Sequence, residues 1–167
     1  MGGGFDAFEM SPLACPSGVA MTYLLGSDHA GADLKESLKA HLDAMGLGYV
    51  DLGTAPGVSV DYPDVAQRVA AGVQAGEGER GVLICGTGIG VCISANKVPG
   101  IRAALAGDTV SGAMARAHNN AQILCLGARV VGVELAKAIF DAYHGATFEG
   151  GRHQRRVDKI HGPESSS

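Results

Sequence analysis

Val82-Leu83-Ile84-Cys85-Gly86-Thr87-Gly88-Ile89-Gly90 is the stretch whose reading decides the fold. Its first four residues form an unbroken apolar run, as a strand covered on both faces requires. The glycines that follow break the strand, and Val91-Cys92-Ile93-Ser94-Ala95 reads as the start of a helix. A buried strand feeding a helix through a glycine turn is one half of a parallel-sheet repeat.

The same alternation runs outward in both directions. Upstream, Tyr23-Leu24-Leu25 reads as a strand, followed by a helix with Leu34, Leu38, Leu42 and Met45 on one face that stops at Gly46. Tyr49-Val50-Asp51-Leu52 is a second strand, and Asp61-Tyr62-Pro63 opens a helix carrying Val65, Val69 and Val73. Downstream, Ile101 to Leu105 and Ile123 to Leu126 read as strands four and five, with a helix through Met114 between them. A helix from about Val133 to Tyr143 has Leu135, Ile139 and Phe140 to bury, and a polar helix follows Gly150. Strands separated by helices predict the α/β class: a five-stranded parallel sheet in a three-layer α/β/α sandwich. Met21 reads as the start of one domain over residues 21–162. Residues 1–20 read as a disordered N-terminal extension and residues 163–167 as a disordered tail.

Composition narrows the function. The 167 residues carry no Trp, 5% aromatics and a net charge of -4, against a nucleic-acid surface that needs stacking rings and a basic field. No apolar run is long enough to span a membrane. The four cysteines have no CxxC spacing for zinc, and residues 1–20 lack the basic n-region of a secretion signal. Reduced thiols in a cytoplasm are therefore expected. Of 13 Lys and Arg, Arg152, Arg155, Arg156 and Lys159 share one C-terminal stretch, either as a solvated basic tail or as a local anion site.

Ligands of open parallel sheets bind beyond the carboxyl ends of the strands, so the candidates are sought there. Asp28 and His29 follow strand one, where they either bind a polyol or cap the next helix. Gly86, Gly88 and Gly90, interleaved with Thr87 and Ile89, turn backbone N–H groups toward an oxyanion or simply make a tight turn. Their spacing fits neither a dinucleotide fingerprint nor a P-loop. Cys85 is either a small buried hydrophobe or, beside a helix N-terminus, a thiolate serving as base or nucleophile. Cys92 and Cys125 lack that setting and read as core. His118, with Asn119 and Asn120 behind it, ends a helix, and Arg129 follows strand five. Jointly these polar groups read as the lining of one cleft. A Cys85–His118 dyad for acyl transfer and a phosphate-binding module without catalysis are the competing readings.

Asp28-His29, Cys85 to Gly90, His118-Asn119 and Gly150-Gly151-Arg152-His153-Gln154-Arg155-Arg156-Val157 occur in an order that resembles the type B ribose-5-phosphate isomerase family. That family also holds allose- and galactose-6-phosphate isomerases. The resemblance covers about Met21 to His161. It implies a Rossmann-like fold and a metal-free, cofactor-free aldose–ketose isomerase, assembled as a dimer or tetramer with its sites at the subunit interface. Cys85, with neutral Val91 after Gly90, matches the branch that uses cysteine as base. The implied roles are ring opening by His118 assisted by Asp28, and proton transfer through a cis-enediolate by Cys85. Thr87 and the N–H groups of Gly86 to Gly90 would hold the oxyanion, and His29, Arg129, Arg152 and Arg156 the phosphate. Tyr62 matches an aromatic near the sugar, or packs at its helix start. His118, Asn119 and Arg129 are expected to cross from the partner subunit. The loop from Thr54 to Ser59 is expected to bear on whether pentose or hexose phosphates fit.

Overall fold

The computed structural model describes residues 21–162; the extension and tail expected from the sequence lie outside the described residues. Five strands alternate with six helices: β1 (Thr22–Ser27), α1 (Ala32–Met45), β2 (Gly48–Asp51), α2 (Tyr62–Gln74), β3 (Arg80–Cys85), α3 (Ile89–Ala95), β4 (Ala103–Leu105), α4 (Thr109–Ala117), β5 (Ile123–Gly127), α5 (Val133–Gly145) and α6 (Arg152–His161). The sheet order is β2-β1-β3-β5-β4, and every pairing is parallel. The three-layer α/β/α reading is therefore correct.

Strand alternation builds the two cores. Tyr23, Leu25, Val82, Ile84, Leu124 and Leu126 face one way and meet Leu34, Leu38 and Leu42 of α1 and Ile139, Phe140 and Tyr143 of α5. Leu24, Leu83, Cys85, Ile123 and Cys125 face the other way, against Val65, Val69 and Val73 of α2 and Val91 and Ala95 of α3. The central strands are thus apolar along their middles because both of their faces are covered.

Several expectations shift. Helix α3 starts at Ile89 rather than Val91, and the fourth strand starts at Ala103, with buried Ile101 ahead of it. Leu135 is 41% and Met45 38% exposed, because Ala136 and Ile139 turn the core face of α5 and Leu42 is the last buried residue of α1.

An interaction the sequence reading missed fastens the left side of the sheet. Lys35, fully buried on α1, donates to both carboxylate oxygens of Asp51 at the end of β2 (2.8 and 2.6 Å) and to the carbonyl of Thr54 (2.8 Å). Burial opposes ionisation of Asp51, but the Lys35 ammonium and the Gly53 N–H outweigh it and hold the carboxyl below its usual range.

Candidate functional site

Connections leave β1 in one direction toward β2 and return on its other side to β3, so a crevice opens between the carboxyl ends of β1 and β3. A cleft of about 430 Å³ lies there. Asp28, His29 and Ala30 after β1 line it, with Cys85, Gly86, Thr87, Ile89 and Gly90 after β3, Tyr62 at the start of α2, Ile93 on α3 and Arg129 after β5. A larger groove of about 790 Å³, with Arg102 and His161 in its wall, sits at the amino edge of the sheet, away from these groups.

Cys85 closes β3 at 5% exposure, and its sulfur accepts the Gly88 N–H at 3.2 Å. That donor faces the sulfur where charge would develop on ionisation. The loop then turns through Gly88 at φ 79°, a left-handed conformation in which a Cβ would stand 2.8 Å from the Leu126 carbonyl carbon. Across the loop, a Cβ on Gly127 would lie 2.5 Å from the Thr87 oxygen, so the end of β5 must be glycine for the loop to sit down. Gly127 escaped the sequence reading because its partner is brought to it only by the β3–β5 pairing. Thr87 is exposed, its hydroxyl accepting the Ile89 N–H at 3.3 Å.

Asp28 is 7% exposed and lines the cleft; one of its oxygens accepts the Gly31 N–H at 3.1 Å ahead of α1, a helix whose N-cap residue is Gly31 and has no side-chain cap bond. Tyr62 likewise both packs against Gly90 and lines the cleft.

Arg129 corrects one expectation. It lies in its own chain's cleft, its N–H bonded to the Gly86 carbonyl at 2.9 Å and its guanidinium beside Gly86. No partner is needed to bring it there.

His118, Asn119, Arg152 and Arg156 do not line this cleft. A crossover helix runs antiparallel to the strands it joins, so α4 ends at the amino edge of the sheet, just before β5. His118 caps that end and is therefore at the wrong edge to meet Cys85 of the same chain. Its ring stacks on His153 of α6, with centroids 4.1 Å apart and planes 8° from parallel, and Glu149 stands beside both rings. Burial first, then the neighbouring His118 ring, hold the His153 imidazole below its ordinary pKa. Arg152 and Arg156 are exposed near the same edge. The segment from Thr54 to Ser59 does not line the cleft either; Thr54 is buried against Lys35.

Cys92 is also corrected. It is half-buried rather than core; the Cys125 thiol beside it is the largest influence, and despite opposing burial the Cys92 thiol falls to about 7. Cys125 is fully buried, as expected, and burial pushes its thiol up.

A thiol, a glycine-rich turn, a carboxylate, a histidine and an arginine meet at a parallel sheet's switch point, the place where open α/β folds bind small ligands. Comparison with known proteins fixes the family: the ribose/galactose isomerase model matches residues 23–160. Ribose-5-phosphate isomerase B of Escherichia coli (strain K12) is 49% identical over 135 residues, 81% of this chain and 91% of that protein. D-erythrulose-4-phosphate isomerase of Pectobacterium atrosepticum is 48% identical over 141 residues, 84% of this chain and 93% of the relative. The structure of Clostridium thermocellum ribose-5-phosphate isomerase B superposes with a TM-score of 0.85 at 49% identity, covering 87% of this chain and 98% of the other. The chain belongs to the ribose/galactose isomerase family and is an isomerase.

Proposed function

We propose that this isomerase interconverts ribose 5-phosphate and ribulose 5-phosphate, with Cys85 as the base. The observation that carries the reading is the meeting of the Cys85 sulfur, the Gly86 to Gly90 turn, Asp28, His29 and Arg129 in one cleft. The Escherichia coli relative's name supports the pentose substrate.

In this reading the Cys85 thiolate removes the C2 proton of the open-chain aldose and returns it to C1 of the cis-enediolate, while the proton on the C2 oxygen passes to the C1 oxygen. Thr87 and the loop N–H groups hold the enediolate oxygens, a preorganised donor of this kind being worth about 3 kcal/mol of barrier. His29 and Arg129 bind the phosphate, the guanidinium by its fork of donors. Tyr62 walls the sugar.

The same reading makes the working unit at least a homodimer, placed in the cytoplasm and in the non-oxidative interconversion of pentose phosphates. His118, Asn119, Arg152 and Arg156 lie at the amino edge of one chain, and the cleft lies at the carboxyl edge. A two-fold partner set edge to edge supplies to each cleft the ring-opening histidine and the remaining phosphate ligands. Ile89, Ile93, Val130 and Val133 are 52%, 56%, 66% and 40% exposed around the cleft and are the apolar surface such a partner would cover. Among the described residues no helix is long and apolar enough to cross a membrane.

The test is a panel of aldose phosphates with wild type and Cys85→Ser. Wild type is expected to prefer ribose 5-phosphate by kcat/KM. Cys85→Ser is expected to bind it with little change while kcat falls about 10²- to 10⁴-fold, the usual contribution of a general base. Near-wild-type turnover by Cys85→Ser would exclude the cysteine base. Because a tetrose phosphate isomerase is almost equally similar, erythrulose 4-phosphate belongs in the panel with allose 6-phosphate and galactose 6-phosphate. Preference for any of these would replace the pentose assignment.

A further inference from the structure

The stacked His118 and His153 rings and the carboxylate beside them form a cluster outside the Cys85 cleft. We propose that His118, Glu149 and His153 bind a divalent cation of borderline softness, Zn²⁺ being the type, and that its binding inhibits the isomerase by occupying the His118 ring nitrogen. The inhibitory half rests on the reading that His118 opens the sugar ring.

The geometry is close to what such a cation takes. The three ligand atoms all lie within 4.8 Å of one another. Glu149 Oε2 stands 3.3 Å from His153 Nε2 and 3.8 Å from His118 Nε2. A tetrahedral zinc with arms of about 2.0–2.1 Å separates its ligands by roughly 3.3–3.4 Å. The rings stack with planes 8° from parallel, so binding an ion requires them to leave the stack and splay until both in-plane lone pairs point at it. Two imidazoles and one carboxylate form a ligand set that leaves a coordination position for water.

A second observation points to a missing partner. His153 is 5% exposed, and its Nε2 is buried without a hydrogen-bond partner among the described residues. A buried polar atom left unpaired costs free energy, and a cation at this point would complete its coordination. The cluster is also tied down: the Glu149 N–H donates to the Ala117 carbonyl at 3.0 Å, at the carboxyl end of α4. That end of a helix favours positive charge. Arg152 and Arg156 oppose a cation here and weaken its expected binding. His118, at 36% side-chain exposure, leaves a way in from solvent.

Isothermal titration of ZnCl₂ into the full chain, with the thiols kept reduced, tests the site without reference to turnover. One saturable site per chain is expected, weakened at least tenfold in Glu149→Gln and in His153→Gln, with no comparable binding of Mg²⁺, which prefers oxygen ligands. Glu149 is exposed, so Glu149→Gln reports on the site even if replacement of buried His153 disturbs folding. Absence of saturable binding, or equal affinity in wild type and Glu149→Gln, overturns the proposal; the latter would place the zinc on thiols instead. Turnover of ribose 5-phosphate is then expected to fall with the same midpoint and to recover on adding EDTA. Zinc held by these residues without inhibition would overturn the inhibitory half and the ring-opening role of His118, leaving the Cys85 assignment untouched.

Discussion

Cys92 shows how a side chain's chemistry depends on a neighbour that sequence distance hides. Only a thiolate alkylates, and with the Cys92 thiol near 7, its thiolate is the minor form at pH 6 and the major form at pH 8. Iodoacetamide labelling followed by peptide mass spectrometry is expected to show Cys92 labelling rise about tenfold per pH unit below that midpoint and level off above it. Buried Cys125 should label only when the protein unfolds. A Cys92 rate still climbing above pH 8.5 would refute the lowered value. Nothing in the local sequence separates Cys92 from a core cysteine, because Cys125 reaches it from β5 across the interior. Cys85, by contrast, was legible: it ends an apolar run immediately before a glycine turn, and that order survives folding.

Among the elements, the contact between α1 and β2 is the one whose loss should be most visible. Breaking a fully buried ion pair costs about 3–5 kcal/mol; here Lys35 is buried but Asp51 is part-exposed and also pairs with Lys39 at 3.1 Å, so that range is an upper bound. Lys35→Ala is therefore expected to lower the unfolding free energy by a measurable part of that amount in a denaturant titration; a change under about 1 kcal/mol would refute a structural role for the pair. Lys35→Met, which fills the space without the charge and leaves Asp51 paired with Lys39 alone, should fall between Lys35→Ala and wild type. The pH dependence has a definite sign. The Asp51 carboxyl is depressed in the folded protein, so its contribution is complete above the ordinary carboxylate pKa and is lost as pH falls through the depressed value. Thermal melts from pH 6 down to pH 2 should show this loss in wild type, and Asp51→Asn should show less of it. Helical periodicity correctly placed Leu34, Leu38 and Leu42 inward, yet it carries no mark that a lysine between them is buried, since that depends on a carboxylate from the neighbouring strand.

For the whole molecule, the separation of His118 from Cys85 has an experimental consequence. Cys85→Ser and His118→Asn are each expected to fail on ribose 5-phosphate as homodimers. Co-expressed in equal amounts, half of the random dimers are mixed, and each mixed dimer carries one intact site and one doubly altered site. About a quarter of wild-type activity should return. Recovery of none would mean that each site is completed within a single chain. His118→Asn alone should retain more activity on ribulose 5-phosphate, which has no furanose ring to open, than on ribose 5-phosphate.

The sequence by itself determined the layered α/β/α architecture, the strand that carries Cys85 and the family, because each is written in local order: apolar runs, helical spacing and motifs in succession. It also marked Asp28, His29, Tyr62 and the Cys85 to Gly90 turn, all of which line one cleft. Only the tertiary structure decided that Arg129 belongs to its own chain's cleft, that Gly127 must be glycine, and that His118 ends at the opposite edge beside His153 and Glu149. The physical reason is direction. A motif read along the chain says that a polar residue follows a strand or a helix. Only the antiparallel run of a crossover helix against its sheet says which edge that residue reaches.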